Sequence, residues 1–460
     1  MKKNLIPIKK NDIITLEIVD MTTEGLGVGK HEGFAVFVPQ TAAGDIISVK
    51  ILKVLKNHAY GKAETLLTPS SERISPDCPS FSQCGGCCYR HISYEAELFH
   101  KEKRVKDALS RIGGFSSFPI NPIQKADHRN HYRNKALLPL GLNRENSMSV
   151  GFYALHSHRI VECDSCLLQP ASFERIIDVF RAWQSRYQVS VYDEYTHHGL
   201  LRRLYLRHAE STGEIMVCVV INGQSLPFQQ ELVDAFTSTD NNIKSIVINK
   251  HTKKTNSVLG TENQTIYGKD TIRDILCGLS FDISPLSFYQ VNRLQAERLY
   301  QKAAEYANLS GNETVIDLYC GTGTIGLSMA DKIKKLIGVE IIPDAIENAK
   351  KNAVLNNILN AEFLCADATK AAHMLAKRNE KANVLILDPP RKGCSQDLLQ
   401  ILPKFGAEKI VYISCDPATL ARDLRVLSEN DYQPVEVTTF DLFPCTAHVE
   451  CVVLMSRKDG

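Results

Sequence analysis

From about residue 285 to the carboxyl terminus, short β-branched apolar runs alternate with helical patterns. That alternation leaves little choice but a doubly wound parallel sheet. Its first turn lies in TVIDLYCGTGTIGLSMA, where Gly321, Gly323 and Gly326 stand in G-x-G-x-x-G spacing between a strand and a helix. Glycines there allow a tight turn and close approach of a nucleotide-containing ligand, and a dinucleotide would be served equally well. The next strand, KKLIGVE, ends at Glu340, 23 positions after Asp317, where an acid accepts hydrogen bonds from both ribose hydroxyls. AEFLCADA ends at Asp367, placed for an adenine edge, and NVLILDPPRKG ends at Asp388-Pro389-Pro390. Two successive prolines stiffen that loop and fix a carboxylate at the rim of the sheet.

The run KIVYISCDPATLARDL places Cys415 at the carboxyl end of a buried strand, before a helix that opens with Asp416 and Pro417. A cysteine near a helix amino terminus is expected to have a lowered thiol pKa and to attack as thiolate. A small buried apolar cysteine is the plain alternative. In TAHVECVVLM, Glu450 opens a late strand as a candidate base. His448, two positions earlier, shares its face if the strand extends that far.

The chain has 460 residues, too many for one core, and three domains are expected. Residues 1–66 alternate short β runs with glycine turns and suggest a small barrel. TPSSERISPDCPS reads as a linker. Residues 67–285 form a central, mostly antiparallel β domain, with a helical segment at about 96–128 expected to pack on the catalytic domain, which spans 286–460. No apolar run approaches membrane length and no leader pattern opens the chain, so a cytoplasmic protein is expected. Fourteen cysteines then point to a reducing compartment, where thiols bind metal or do catalysis. Net charge is only +2, so any nucleic-acid surface must be local. Lys50, Lys53, Lys56, His58 and Lys62 offer one such patch. Lys101, Lys103, Arg104, Lys106, Arg111, Arg129, Arg133 and Lys135 offer a denser one.

CPSFSQCGGCC carries Cys78, Cys84 and Cys87, with five and then two residues between them, and VECDSCLLQP adds Cys163 or Cys166 as a fourth thiol. Four thiolates suit a [4Fe–4S] cluster, whereas the two C-x-x-C pairs Cys84/Cys87 and Cys163/Cys166 suit structural zinc.

The pieces SFYQVN, DLYCGTGTIGL, DPPRKG, ISCDPATLARD and HVECVVLM, in this order, resemble the RNA uracil-5 methyltransferase family. The resemblance implies an α/β fold: a carboxyl-terminal Rossmann-like S-adenosylmethionine methyltransferase domain, a central mostly β Fe–S domain and an amino-terminal OB-like TRAM barrel. It implies that Gln290, Tyr319, Glu340 and Asp388 hold S-adenosylmethionine, with Thr324 and Asp367 as secondary contacts. Cys415 would be the nucleophile and Glu450 the base. Cluster ligands would fall on Cys78, Cys84, Cys87 and Cys166, leaving Cys88 and Cys163 as extras. Phe288, beside Gln290, is a candidate to stack on a flipped uridine, with a core aromatic as the plain alternative. HYRNKA matches a further family piece, which brings Arg133 toward the target loop. Members acting on tRNA are generally shorter and lack barrel and cluster, so 23S ribosomal RNA is the expected partner of a monomeric enzyme. Rivals are a tRNA-directed uracil-5 enzyme, an amino-group methylase and a non-enzymatic Fe–S RNA chaperone. The Arg391-Lys392 pair after the prolines, and Cys415 itself, count against the methylase.

Overall fold

The computed structural model describes residues 6–255 and 257–458. The first lysines, on which the expectation of no leader partly rests, lie outside the described residues. The chain divides into two compact units. One holds the residues up to Val105 with Tyr153–Arg159 and Phe443–His448, and the other holds Lys106–Phe152, Ile160–Leu442 and the end from Val449.

In the first unit, six strands make one sheet in the order Ile13–Glu17, Ile46–Val54, His58–Thr68, Phe34–Val38, Gly27–His31, Asp20–Met21. Strand alternation sends Ile47, Val49 and Ile51 inward against Leu16, Val36, Val38 and Ala59. The stretch read as a linker is not free. Arg73 grips Asp45 with two bonds of 2.7 Å, and Asp45 also accepts from the Ala42 and Ser70 amides. Phe37, His58 and Tyr60 form a ring cluster with centroids 5.2–5.8 Å apart, and Lys50 stands directly opposite Lys62.

In the second unit, a seven-stranded sheet runs Ile160–Glu162, Met148–Tyr153, Lys135–Leu142, Leu201–His208, Ile215–Ile221, Ile243–Lys250, Glu262–Gly268. Helices Ser172–Tyr187 and Gln229–Thr239 bury Phe173, Phe180, Trp183 and Phe236 against it. Sequence suggested only antiparallel pairing here. Yet Ile215–Ile221 and Ile243–Lys250 pair parallel, with Gln229–Thr239 as the crossover. Both strands are almost wholly buried, as parallel strands covered on both faces are.

The catalytic sheet also lies in this unit. Its elements are β1 (Ile120–Gln124), α1 (Arg293–Ala307), β2 (Thr314–Asp317), α2 (Thr324–Leu327), β3 (Lys335–Glu340), α3 (Pro343–Leu355), β4 (Ala361–Cys365), α4 (Ala368–Lys377), β5 (Val384–Leu387), α5 (Gln396–Ile401), β6 (Lys409–Ser414), α6 (Pro417–Glu429), β7 (Tyr432–Phe440) and β8 (Glu450–Arg457). Strand order is β4-β3-β2-β5-β6-β8-β7-β1. β2 to β6 run parallel, and β8 enters antiparallel between β6 and β7. β1 comes from far upstream and contributes an edge strand, the position where its Pro122 removes no needed donor.

Candidate active site

Parallel strands deliver all their carboxyl ends to one rim, and the acids follow that rule. Asp367 comes just after β4, Glu340 ends β3, Asp317 ends β2, Asp388 follows β5 and Cys415 follows β6. Because β8 is antiparallel, its first residue lies at the same rim. Ser414 stands opposite Cys451, so the next step of the ladder sets Cys415 beside Glu450.

The glycine turn leaves room for a ligand. Gly321 and Gly323 have φ of 55° and 86°, and a side chain added at Gly321 would project into open space. Glu340 accepts from the Gly321 amide at 3.3 Å and from Ile341 and Ile342 at 2.8 and 2.9 Å, which fixes its carboxylate beneath the turn. Asp317 is fully buried with one carboxylate oxygen unpartnered. Burial first, then the charges of Asp388 and Glu340, push it up to about 7. Asp367 caps α4 with one oxygen, accepting from Thr369 and Lys370, and its second oxygen takes no part in the cap. Thr324 meets the hydroxyl of Tyr300 at 3.1 Å, and Tyr300 also lies near Gln290 and Asp388. Tyr319 is half-buried beside Cys394. This crescent of an open glycine turn, fixed acid, orphaned carboxylate oxygen and hydroxyls fits a nucleoside-bearing cofactor.

At the reaction end, burial pushes Cys415 up to about 12, with Glu450 and Asp388 adding to the rise and Arg391 opposing it. The expectation of a lowered thiol therefore fails in the ligand-free protein. The helix amino terminus is already used: Asp416 accepts from Ala418 at 3.0 Å and Thr419 at 2.9 Å, so its carboxylate takes the dipole's benefit. Glu450 is likewise raised well above the carboxylate range, by burial and then Asp388, against Arg391. Asp388 rises to about 7 through burial. A charge on Asp388 makes ionising Glu450 and Cys415 harder, and Arg391 is the counter-charge that Glu450 and Cys415 share.

His448 does not back up Glu450 on the strand, because β8 begins at Glu450 and the His448 ring packs edge-on to Phe443 at 5.9 Å. Phe288 is 64% exposed, as a stacking platform requires. The dense basic region is partly misread. Lys101 is 1% exposed, with its ammonium held by Glu97 at 2.7 Å and the Phe443 carbonyl at 3.2 Å, so it faces no phosphate. Lys103 is bound to Asp20.

Among the described residues, no three or more His, Cys, Asp or Glu side chains are grouped to hold a metal ion. Cys78, Cys84 and Cys87 fall in the first unit and Cys166 in the second, all partly exposed. The Cys84 sulfur accepts from the Gly86 amide at 3.4 Å, and the Cys163 thiol donates to the Ser165 carbonyl at 3.2 Å.

Sequence reasoning passed over Asp423 on α6. It is fully buried and accepts from the Tyr412 hydroxyl at 2.6 Å, the Cys394 amide at 2.7 Å and the Arg422 Nε at 2.8 Å. Arg422 and Thr419 donate to the carbonyls of Lys392 and Arg391 at 2.9 and 3.0 Å. Thus α6, which follows Cys415, also holds the loop that carries Arg391. The available signal was an acid among Leu420, Leu424 and Leu427 on the apolar face.

Residues 93–458 match the family model described as tRNA (Uracil-5-)-methyltransferase. The chain belongs to this family. Residues 9–63 match the TRAM domain, so the barrel of this uracil-5-methyltransferase is an RNA-binding module. A Clostridium tetani (strain Massachusetts / E88) protein described as an uncharacterized RNA methyltransferase is 44% identical over 456 residues, 99% of this chain and 98% of that one. One from Bacillus cereus (strain ATCC 10987 / NRS 248), described likewise, is 43% identical over 453 residues, 98% of both. Among solved structures, the Pyrococcus abyssi tRNA (uracil-54, C5)-methyltransferase in complex with S-adenosyl-L-homocysteine superposes with a TM-score of 0.78. That structure is 27% identical and covers 96% of this chain and 100% of its own. The chain is therefore an S-adenosylmethionine-dependent RNA methyltransferase of the uracil-5 family, and among its described residues no helix is long and apolar enough to cross a membrane.

Proposed function

We propose that this enzyme methylates carbon 5 of a uridine in 23S ribosomal RNA, with Cys415 as nucleophile and Glu450 as base. The reading rests on Cys415 and Glu450 coming together at one rim, one step past Ser414 and Cys451, the last ladder pair of β6 and β8, with Glu450 close enough to raise the Cys415 thiol. Carbon 5 of uracil is a poor nucleophile. When the Cys415 sulfur bonds to carbon 6, the 5,6 double bond opens and carbon 5 becomes enolate-like. Bound S-adenosylmethionine supplies the methyl group and a positive sulfonium charge. Glu450 then removes the carbon 5 proton, the double bond re-forms and the sulfur leaves as thiolate. Gln290, Tyr319, Glu340 and Asp388, with Thr324 and Asp367 behind them, hold the cofactor. Phe288 stacks on the extruded base.

The test is incubation with S-adenosylmethionine and RNA tritiated at carbon 5 of uracil. Tritium release with methyl incorporation supports the reading, and incorporation without release indicates amino-group methylation. Cys415→Ala abolishes both methylation and covalent RNA capture, and a variant of near-normal turnover would end the assignment. Transfer RNA is the second reading, favoured by the substrate named for the P. abyssi structure. Comparing methylation of 23S and transfer RNA transcripts decides between them.

A [4Fe–4S] cluster on Cys78, Cys84, Cys87 and Cys166 is a separate proposal, supported by the cysteine spacing alone, and no step above depends on it. Iron and sulfide in anaerobically prepared protein support it; stoichiometric zinc replaces it. A monomeric, cytoplasmic enzyme built of domains 1–66, 67–285 and 286–460 completes the reading.

A further inference from the structure

Lys135 and Arg207 stand directly opposite each other on adjacent antiparallel strands of the seven-stranded sheet. Like charges in that position repel, and the repulsion grows as water is removed. Arg207 is 4% exposed and Lys135 is half-buried. Arg133, two residues before Lys135, adds a third positive charge. Their face is otherwise apolar: Leu137, Tyr205, Cys218 and Val247 pack together there. Among the described residues, none of the three cations is paired with a carboxylate. Arg207 donates instead to neutral oxygens, the Tyr205 hydroxyl and the Ser287 carbonyl. Burial, then Arg207 and Arg133, press Lys135 down to about 8.

The cluster adjoins the substrate end of the active site. Asn134, next to Lys135, donates from its side chain to the Gln290 carbonyl at 2.8 Å and from its backbone to Val291 at 2.9 Å. Arg207 holds the Ser287 carbonyl, one residue before exposed Phe288. We propose that Arg133, Lys135 and Arg207 form a binding site for a backbone phosphate of the RNA strand that carries the target uridine, a proposal that rests on the uracil-5 reading. A phosphate there removes the repulsion and anchors the strand beside Phe288, while Arg207 presents planar donors that suit its oxygens.

The experiment measures affinity of the whole enzyme for a uridine-containing single-stranded oligoribonucleotide across a salt series, with melting temperature in parallel. In Lys135→Met, Kd rises roughly tenfold, and the slope of log affinity against log salt shrinks by about 0.7, one phosphate contact's worth. The melting temperature stays level or rises, because a like-charge contact has gone. Inorganic phosphate raises the melting temperature of the parent more than that of Lys135→Met, and Lys135→Arg keeps the parental slope. Unchanged affinity and slope in Lys135→Met would overturn the site. So would a fall in melting temperature with the slope intact, which marks a structural lysine. Absent tritium release by the parent enzyme would instead sink the uracil-5 reading and leave the salt slopes standing.

Discussion

Replacing Asp423 with alanine tests whether α6 holds the catalytic loop. The carboxylate satisfies two buried donors, the Tyr412 hydroxyl at 2.6 Å and the Cys394 amide at 2.7 Å. Each buried donor left unpaired costs about 1–3 kcal/mol, so the two together cost about 2–6 kcal/mol. Arg422 adds little to that sum, since its side chain is 43% exposed and turns to water when released. In a unit larger than the roughly 150–250 residues for which 1 kcal/mol is worth about 2–4 °C, the shift is about 1–2 °C per kcal/mol, so a mid-range loss of about 4 kcal/mol lowers the melting temperature by roughly 4–8 °C. Tyr412→Phe removes the hydroxyl but keeps the Cys394 bond, and its shift is expected to be under half as large. Function is lost as well, because Arg391 hangs from the same loop through Thr419 and Arg422. Misplacing a catalytic-site group by about 1 Å costs on the order of a hundredfold in rate. Single-turnover methyl transfer under saturating S-adenosylmethionine reads that loss separately from cofactor binding. An Asp423→Ala enzyme that melts within about 2 °C of the parent and turns over normally would refute the argument.

Gly393→Ala attacks the same loop from the other side. Gly393 has φ of 74°, and an added Cβ would lie 2.5 Å from both Asp423 and Arg422, so melting temperature and turnover both drop. Glu450→Gln is expected to transfer methyl yet accumulate protein–RNA adduct on denaturing gels, and rapid release of methylated RNA would count against Glu450 as base. Asp317 contributes a loss of stability as pH rises from about 4 to about 7. Over that interval, folded Asp317 keeps a proton that the unfolded chain has released. Asp317→Asn, followed by thermal melts across that range, flattens the loss; an unchanged profile would mean the proton is held elsewhere.

The sequence made the rim legible because parallel strands and their carboxyl ends are read by periodicity, and Glu340, Asp367, Asp388 and Cys415 each close an apolar run. Other features need three dimensions. INPIQ carries too few apolar residues and a central proline, so only its partner β7 makes β1 a strand. Lys101 looks like its neighbours in a charged helix, but Glu97 and the Phe443 carbonyl bury it. The raised Cys415 thiol depends first on burial and then on Glu450 and Asp388, which are distant in sequence. Lys135 and Arg207 are ordinary strand residues until register sets them face to face.

The reversal of β8 is what makes this sheet suit a two-residue covalent mechanism. Parallel strands alone place every strand-end residue after a strand, so a nucleophile on β6 would meet only groups from neighbouring βα turns. One antiparallel strand beside β6 brings its first residue, rather than its last, to the same rim, and that residue is Glu450. Residues on adjacent strands directly across a ladder lie within a few ångströms, close enough for two groups to serve neighbouring atoms of one ring. Attack at carbon 6 and proton removal at carbon 5 require two such groups. Burial raises both pKa values first, Asp388 adds to each and Glu450 adds to that of Cys415, so neither group ionises easily. A positive charge entering the crescent relieves that restraint, so thiolate formation is expected to follow cofactor occupancy. The rate of Cys415 alkylation at neutral pH measures it: S-adenosylmethionine accelerates the reaction through charge, whereas simple shielding by the cofactor would slow it and refute the coupling.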